Sequence, residues 1–504
     1  MQPHTIVIGA GIGGLTTAAL LLKAGHRVTV LEAHVYPGGC AGTFYHQKFR
    51  FDAGATLAGG FAAAGPHAQL AEMLGLTWPI RAADPAWVVH LPDGRSVTQW
   101  ADPQQWQAER LRAFPQAESF WHLQEKLAQA SWDVSTRPFP WPPRSWRDGL
   151  TLARALRPST VPAIPYLLRT VGSLAAAGDP MFRAFLDGQL LISAQTTADK
   201  ANALYGSAAL DLPRRGVNHV HGGMGALAET LVAWIRAHGG EVLYRQEVTA
   251  VDMSAGKAAA VRTKRGLHVA GDHIVANLTP WSLAELLGEA APRSLRREVR
   301  QRTPTWGAFT LYLGLDASHL PADLASHHQI IGDHTRPLGE GNSVFVSLSD
   351  AQDETRGPAG TRVATLSTHT AVAPWWQLRH TDKAAYEARR AVYAERLLAA
   401  AETAVPGLRQ AVRLALPGTP VTFATYTRRA LGMVGGFPQT SLWHARGPYT
   451  GIANLWLVGD SIFPGQSTAG ATLGGMRVAA AVQQAGPRSV WVTKKRPLPV
   501  SHSS

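Results

Sequence analysis

The stretch that most limits how this chain can fold is residues 4–33, "HTIVIGAGIGGLTTAALLLKAGHRVTVLEA". It reads as a strand, a tight turn, a helix and a second strand. Thr5–Ile8 are β-branched or apolar, as a strand inside a buried parallel sheet requires. Gly9, Gly11 and Gly14 form G-x-G-x-x-G. The first glycine permits the turn, the second lets a pyrophosphate reach the backbone, and the third lets helix and strand pack closely. The start of the helix offers N–H groups to phosphate oxygens. The second strand, Arg27–Leu31, ends at Glu32, an acid placed to accept hydrogen bonds from a ribose 2′-hydroxyl. Strand, helix and terminal acid together predict a dinucleotide site. A glycine-rich helix start in a parallel sheet is the plainer alternative.

A second glycine cluster, in "HVHGGMGALAETLVAWIRAHGGEVLY", sets Gly223, Gly225 and Ala228 at similar spacing before a helix. Its preceding strand, "NHVH", is short and polar, and its following strand ends at Tyr244 and Arg245 without an acid. The missing acid weighs against a second nucleotide site. Near the other end of the chain, "LWLVGDS" carries an apolar strand into Asp460. "PGQSTAGATLGGM" then leads into a helix beginning near Ala469. So few bulky side chains leave room for something large and flat against the main chain. Close packing of a Gly/Ala-rich helix on a sheet is the alternative.

After Glu32 comes "AHVYPGGCAGTFYHQKFRFDAGAT", with the pair Gly38 and Gly39 ahead of an extended "FRFDAGA". This arrangement resembles the FAD family typified by amine oxidases. Three segments, "VLEAHVYPGGCAGTFYHQKFRFDAGAT", "TPVTFATYTRRALGMVGGFPQT" and "NLWLVGDSIFPGQSTAGATLGGMRVA", resemble more narrowly its carotene desaturase and carotene isomerase branch. The last is similar to the C-terminal signature of bacterial-type phytoene desaturases. The resemblance covers the whole chain in segment order and is strongest at both ends. One departure is Cys40, which stands where many desaturases have Arg. "GGCAGTF" with "FDAGAT" looks more like the isomerase-related and 3′,4′-desaturase subgroup. Cys40 is read as a small buried filler, with a redox role as the alternative.

The resemblance implies an α/β fold. A Rossmann-like FAD-binding domain, discontinuous in sequence, is expected over residues 1–75, 215–285 and 440–488. A mixed-sheet α+β substrate domain is expected over 76–214 and 286–439, and a disordered basic tail over 489–504. The strands "GAFTLYLGL" and "RVATLSTHT" and a helix over 383–404 belong to the substrate domain. The cofactor residues it implies are Gly9, Gly11, Gly13, Gly14, Glu32, Ala33, Gly38, Gly39, Cys40, Val248, Gly459, Asp460 and Met476. Val248 would end the last strand beside the adenine. Asp460 would meet a ribityl hydroxyl or the pyrophosphate. The late helix would direct its positive end at the flavin pyrimidine ring, where reduced flavin carries charge.

Composition narrows the partners. Charged residues are only 16% of the chain, yet Lys plus Arg (48) exceeds Asp plus Glu (35), giving a net charge of +13. Such a balance favours an acidic partner. No nucleic-acid module or dense basic run is present, so a membrane surface is the expected one. "RPFPWPPRSWRDGLTLARALRPSTVPAIPYLLRTVGSL" supports this, mixing Phe139, Trp141 and Trp146 with Arg144, Arg147, Arg154 and Arg157. A helical lid over the site is the competing reading. A single cysteine excludes disulfide scaffolds and cysteine zinc sites, and no metal is expected. A cytoplasmic protein held peripherally at the membrane follows.

The expected activity is that of an FAD-dependent carotenoid desaturase acting on a hydrophobic, acyclic polyene. Flavin N5 would take a hydride, and oxygen or a quinone would reoxidise the cofactor. Polyene conjugation spreads the developing cation, so no strong base is demanded and no catalytic residue is assigned. Tyr426, Arg428, Arg429 and His444 are candidates near the flavin. Carotenoid cis–trans isomerisation on reduced FAD, amine oxidation, and a flavin-free lipid escort remain open.

Overall fold

The computed structural model describes residues 2–137, 141–143, 146–175 and 178–485. Phe139, Arg144 and the tail 489–504 lie outside the described residues. The fold is built on two large sheets. The first has five parallel strands in the order Glu241–Leu243, Arg27–Leu31, His4–Ile8, His273–Ala276 and Leu455–Leu457. His4–Ile8 is buried at every position, so its apolar run is the interior strand that its composition predicts. Helices Ile12–Lys23, Gly225–Ala237 and Thr468–Ala485 pack on this sheet around one apolar core.

Small residues set how closely these helices approach. A Cβ at Gly475 would lie 2.7 Å from the Gly13 carbonyl oxygen and 2.8 Å from Thr16 Cβ. The Thr17 hydroxyl donates to the Gly475 carbonyl at 3.1 Å. The first and the last described helices therefore touch backbone to backbone, which no larger residue at 475 would allow.

The second sheet has seven strands, ordered Val412–Gly418, Trp306–Asp316, Thr361–Ala371, Ser343–Leu348, His327–Ile331, Trp87–His90 and Ser96–Gln99. Neighbours are antiparallel except for His327–Ile331 beside Trp87–His90. Helix Lys383–Glu402 buries Tyr386, Tyr393 and Leu397 against Phe309 and Trp375 of this half. Helices Glu118–Ser135, Pro180–Ala194 and Ala203–Leu210 form a second layer with an aromatic centre at Phe114, Trp121, Phe182 and Phe185.

One detail differs from the sequence-based expectation. Val248 does not end a parallel strand: Glu241–Leu243, the parallel strand before it, stops at Leu243. Val248 opens an antiparallel sheet of Val248–Ser254, Lys257–Thr263 and His268–Ala270. The strand before the second glycine cluster, Val217–Val220, pairs antiparallel with Ala58–Gly59 and Ile80–Ala83, outside the five-stranded sheet.

His67 ties helix Pro66–Leu74 to the start of the C-terminal helix. It stacks on Phe61 and faces Thr468 Oγ1 at 3.2 Å and Thr472 Oγ1 at 3.4 Å. Burial pushes its pKa from 6.5 down to about 3, so the folded chain holds it neutral. Burial likewise lowers His328 and His369 to about 4. The unfolded chain binds more protons than the folded one below pH 6.5. The stability contributed by these neutral rings is therefore complete above that value and is lost as pH falls toward 4. Chemical denaturation between pH 7 and pH 4 should show a falling midpoint, and His67→Gln should flatten the slope.

Candidate functional site

The carboxyl ends of the parallel strands open into one cavity of about 1660 Å³ that runs on to the seven-stranded sheet. Pockets for one drug-sized ligand hold about 300–1,000 Å³. This one is large enough for two ligands laid end to end.

Its first half is a backbone cradle. Gly9 N–H donates to Leu31 O at 2.8 Å, and Gly38 N–H donates to Ala10 O at 2.9 Å. The glycine pair is thereby fastened to the first turn, with Gly38 at φ 110°. Asn277, just beyond strand His273–Ala276, is wedged among these glycines. Its amide nitrogen would meet a Cβ on Gly11 at 2.4 Å, and its Oδ1 would meet one on Gly459 at 3.0 Å. A Cβ on Gly13 would come within 3.1 Å of Gly459 N. The glycines at 9, 11, 13 and 459 thus let three chain segments converge at one point on the cavity wall. Gly14 lies behind this wall, where a Cβ would strike Gly9 O at 2.5 Å, so its work is helix–strand contact.

The helix that starts at Ile12 has no side-chain cap. Gly11, Ile12 and Gly13, at its start, line the cavity. The second glycine cluster is the opposite case. Asp52 Oδ1 accepts from Met224 N–H at 2.8 Å, and Thr43 Oγ1 accepts from Gly225 N–H at 2.8 Å. Asp52 is itself held by Arg356 at 2.9 Å. Protein groups have taken the donors that a phosphate would need there.

Glu32 lies in the cradle wall. Its Oε2 accepts from Ala10 N–H at 2.7 Å and its Oε1 from His34 N–H at 2.8 Å. Burial raises its pKa, while these N–H groups pull it back. Each oxygen keeps a second lone pair for a ligand hydroxyl. Asp460 is not a free acid: Arg429 Nη1 pairs with it at 3.0 Å. Arg429 also donates to Met433 O at 2.6 Å and Gly435 O at 2.8 Å. Cys40 sits on the turn Gly39–Ala41 at the wall, and burial pushes its thiol pKa up. A thiol held neutral is a poor nucleophile.

The second half is apolar for most of its wall, with Trp132, Leu152, Leu167, Leu204, Ala208 and Phe463 among its lining. Leu156 (42% exposed), Ile164 (48%) and Trp443 (56%) line the cavity and face outward too, so they form a rim. Among the described residues, the acids that line the cavity are Glu32, Glu247, Glu285 and Asp460. All four lie beside the five-stranded sheet. Arg428 neutralises Glu247 at 3.1 Å, as Arg429 does Asp460.

Of the residues expected at the site, Ala33, Gly39 and Val248 also reach the wall. Met476 does not; it packs on the apolar core behind the C-terminal helix. Tyr426, Arg428 and Arg429 line the cavity, whereas His444 is exposed and off it. Sequence reasoning assigned no role to Asn277, Gln195 or His369. Asn277 could have been singled out as the residue following a strand adjacent to the glycine turn. Gln195 and His369 carry no local pattern.

The sequence matches the family of flavin containing amine oxidoreductases over residues 12–483. It is 28% identical over 498 residues to prolycopene isomerase 2, chloroplastic, of an Oncidium hybrid cultivar, covering 94% of this chain and 82% of that protein. It is 26% identical over 500 residues to a lycopene-forming phytoene desaturase of a Paracoccus species, covering 92% and 94%. Among solved structures, an oxidoreductase from Methanosarcina mazei superposes with a TM-score of 0.64 at 19% identity, over 95% of this chain and 100% of that one. Cyclohexylamine oxidase from Brevibacterium oxydans gives 0.59 at 15% identity, over 96% and 99%. An uncapped helix start that can donate, a glycine cradle, and an acid whose open lone pairs can accept are groups that suit an FAD molecule. The chain therefore belongs to the flavin containing amine oxidoreductase family and is an FAD-dependent oxidoreductase.

Proposed function

We propose that this enzyme desaturates an acyclic carotenoid. The observation that carries the reading is the cavity itself, continuous from the glycine cradle to an exposed apolar rim. The uncapped start of helix Ile12–Lys23 would take the pyrophosphate, with Gly11 and Gly13 leaving it room. Glu32 would take the adenosine ribose. Arg429 would hold Asp460 toward the ribityl chain. Segments 1–75, 215–285 and 440–488 would hold the cofactor, and 76–214 and 286–439 the substrate. Met476 and His444 have no place in this assignment.

Bound FAD supplies a hydride acceptor at N5. The chain's own contribution is position and dryness. Trp132, Leu167, Leu204 and Phe463 align a hydrocarbon and exclude water. Among the described residues, no lining acid comes from the seven-stranded sheet or from helices 118–210, so a small ammonium finds no counter-ion among them. That disfavours amine oxidation. His369, lowered to about 4, is neutral and cannot protonate a polyene near pH 7. Conjugation in the substrate has to spread any developing charge. Isomerisation on reduced FAD is the second reading, favoured by the prolycopene isomerase relatives.

The rim also supports membrane entry. Trp146 (74% exposed), Val161 (53%) and Leu168 (82%) are exposed on the same stretch of chain as Leu156 and Ile164. Arg147, Arg154, Arg157 and Arg169 are exposed around them. Among the described residues no helix is long and apolar enough to cross a bilayer. The rim would lie in the headgroup region and admit substrate sideways.

Three outcomes test these assignments. Glu32→Ala should weaken FAD binding about tenfold, the worth of one or two lost hydrogen bonds, in a flavin-fluorescence titration. Lycopene precursors and poly-cis carotenes should be supplied in vesicles without oxygen or another acceptor. A desaturase then stops after one turnover, whereas an isomerase with pre-reduced FAD continues without lengthening the chromophore. Trp146→Glu with Leu168→Glu should lower partitioning onto anionic vesicles by about tenfold or more, measured by co-sedimentation, with FAD binding unchanged.

A further inference from the structure

We infer that a proton path joins the cavity to solvent through Thr56, Ser347, His327 and a small polar pocket behind them. It serves the flavin itself and does not depend on which polyene reaction the enzyme runs.

Ala55 N–H donates to Cys40 O at 3.0 Å, which sets Thr56 just beyond the glycine-pair turn on the cavity wall. The Ser347 hydroxyl donates to Thr56 Oγ1 at 2.7 Å. His327 Nδ1 lies 3.1 Å from Ser347 Oγ. The two residues are paired across the antiparallel strands Ser343–Leu348 and His327–Ile331, so the register of the sheet makes this contact. A serine has one proton to give, and here it goes to Thr56. His327 therefore donates from Nδ1, which leaves Nε2 as an acceptor. That nitrogen is buried, with no hydrogen-bond partner among the described residues. Thr56, Ser347 and His327 all line a second pocket of about 30 Å³. A water needs about 10–15 Å³ of such space and a few polar partners. Asp52 and Asp350 line it too, balanced by Arg356 at 2.9 Å and Arg81 at 2.7 Å. His219 lines it as well, stacked on His327 with ring centroids 5.3 Å apart. His219 and Asp350 are partly exposed and give the pocket its way to solvent.

A water in that pocket donates to Nε2 and completes the chain. A proton accepted at Nε2 releases the one on Nδ1 to Ser347. Ser347 passes its own proton to Thr56, and Thr56 gives its own to the cavity. One proton enters at the pocket and one leaves at Thr56. The ring begins and ends neutral, in keeping with burial that holds its pKa well below 6.5. Every hydrogen bond in the chain now points the other way, so the next transfer has to run outward. Flavin chemistry alternates in the same sense. Desaturation sends a hydride to the flavin and a proton out along the path. Passing that hydride on to a quinone draws one proton back, and yields hydroquinone and oxidised FAD. Glu247 and Asp460 are already paired with arginines and are poor proton acceptors for this purpose.

The test uses the FAD-loaded full chain without substrate, mixed with reduced methyl viologen, which brings electrons and no protons. Two electrons and one proton turn bound FAD into its reduced anion. Flavin bleaching and a pH-indicator dye in weakly buffered solution are followed together, with viologen in such excess that more of it brings no further speed. Ser347→Ala and His327→Gln should slow both signals about a hundredfold, the lower end of what a positioned proton-transfer group contributes. FAD affinity and the final proton uptake should not change. Ser347→Thr keeps the hydroxyl and should keep the wild-type rate. Proton uptake by Ser347→Ala at the wild-type rate overturns the inference. So does a Ser347→Thr protein as slow as Ser347→Ala, since packing then explains the loss. Ser347→Ala removes a single oxygen, so it decides the question even where His327→Gln does not fold.

Discussion

Everything at this site depends on how closely three backbones can approach one another around Asn277. Its side chain fills the space bordered by Gly9, Gly11, Gly14 and Gly459. Any Cβ at Gly11 or Gly14 would overlap a neighbour at 2.4 to 2.5 Å. The convergence brings an uncapped helix start to the cavity wall. Without it the bed proposed for the pyrophosphate would be closed by side chains. The glycines are thus a volume constraint first and a conformational one second.

The contrast between the two glycine-led helices shows what makes such a turn functional. Both have apolar cores and similar spacing. At the first, the helix start has no side-chain cap, and its residues line the cavity. At the second, Thr43 and Asp52 take the donors, and Arg356 balances the carboxylate. The spacing alone does not separate them. The supply of acceptors from the hairpin Thr43–Asp52 does.

The first strand, helix and acid were legible in the chain because each depends on neighbours within about 30 residues. The late Asp460 was legible through its strand. Its ion pair with Arg429 was not, because the two are brought together by a loop at 427–439 with no periodic pattern. Val248 was placed in the right neighbourhood and at the wrong end of a strand. A turn of four residues, 244–247, separates the parallel strand from the antiparallel one. Met476 was misjudged by phase: Ala471 and Leu473 reach the wall, while Met476 lies on another face of the same helix. Gln195 and His369 meet across 174 residues, a separation no local pattern can report.

The contact between helix Ile12–Lys23 and Gly475 joins the first helix to the last one described. The edge strand Leu455–Leu457 pairs with His273–Ala276, and it too comes late. During synthesis, an apolar face made at the start must wait for more than 400 residues before its cover leaves the ribosome. Such delayed closure makes folding slow and exposes nascent chains to self-association. Truncation near residue 450 would therefore remove much more than a tail. It would strip the nucleotide-binding half of one wall and leave the emerging chain dependent on chaperones.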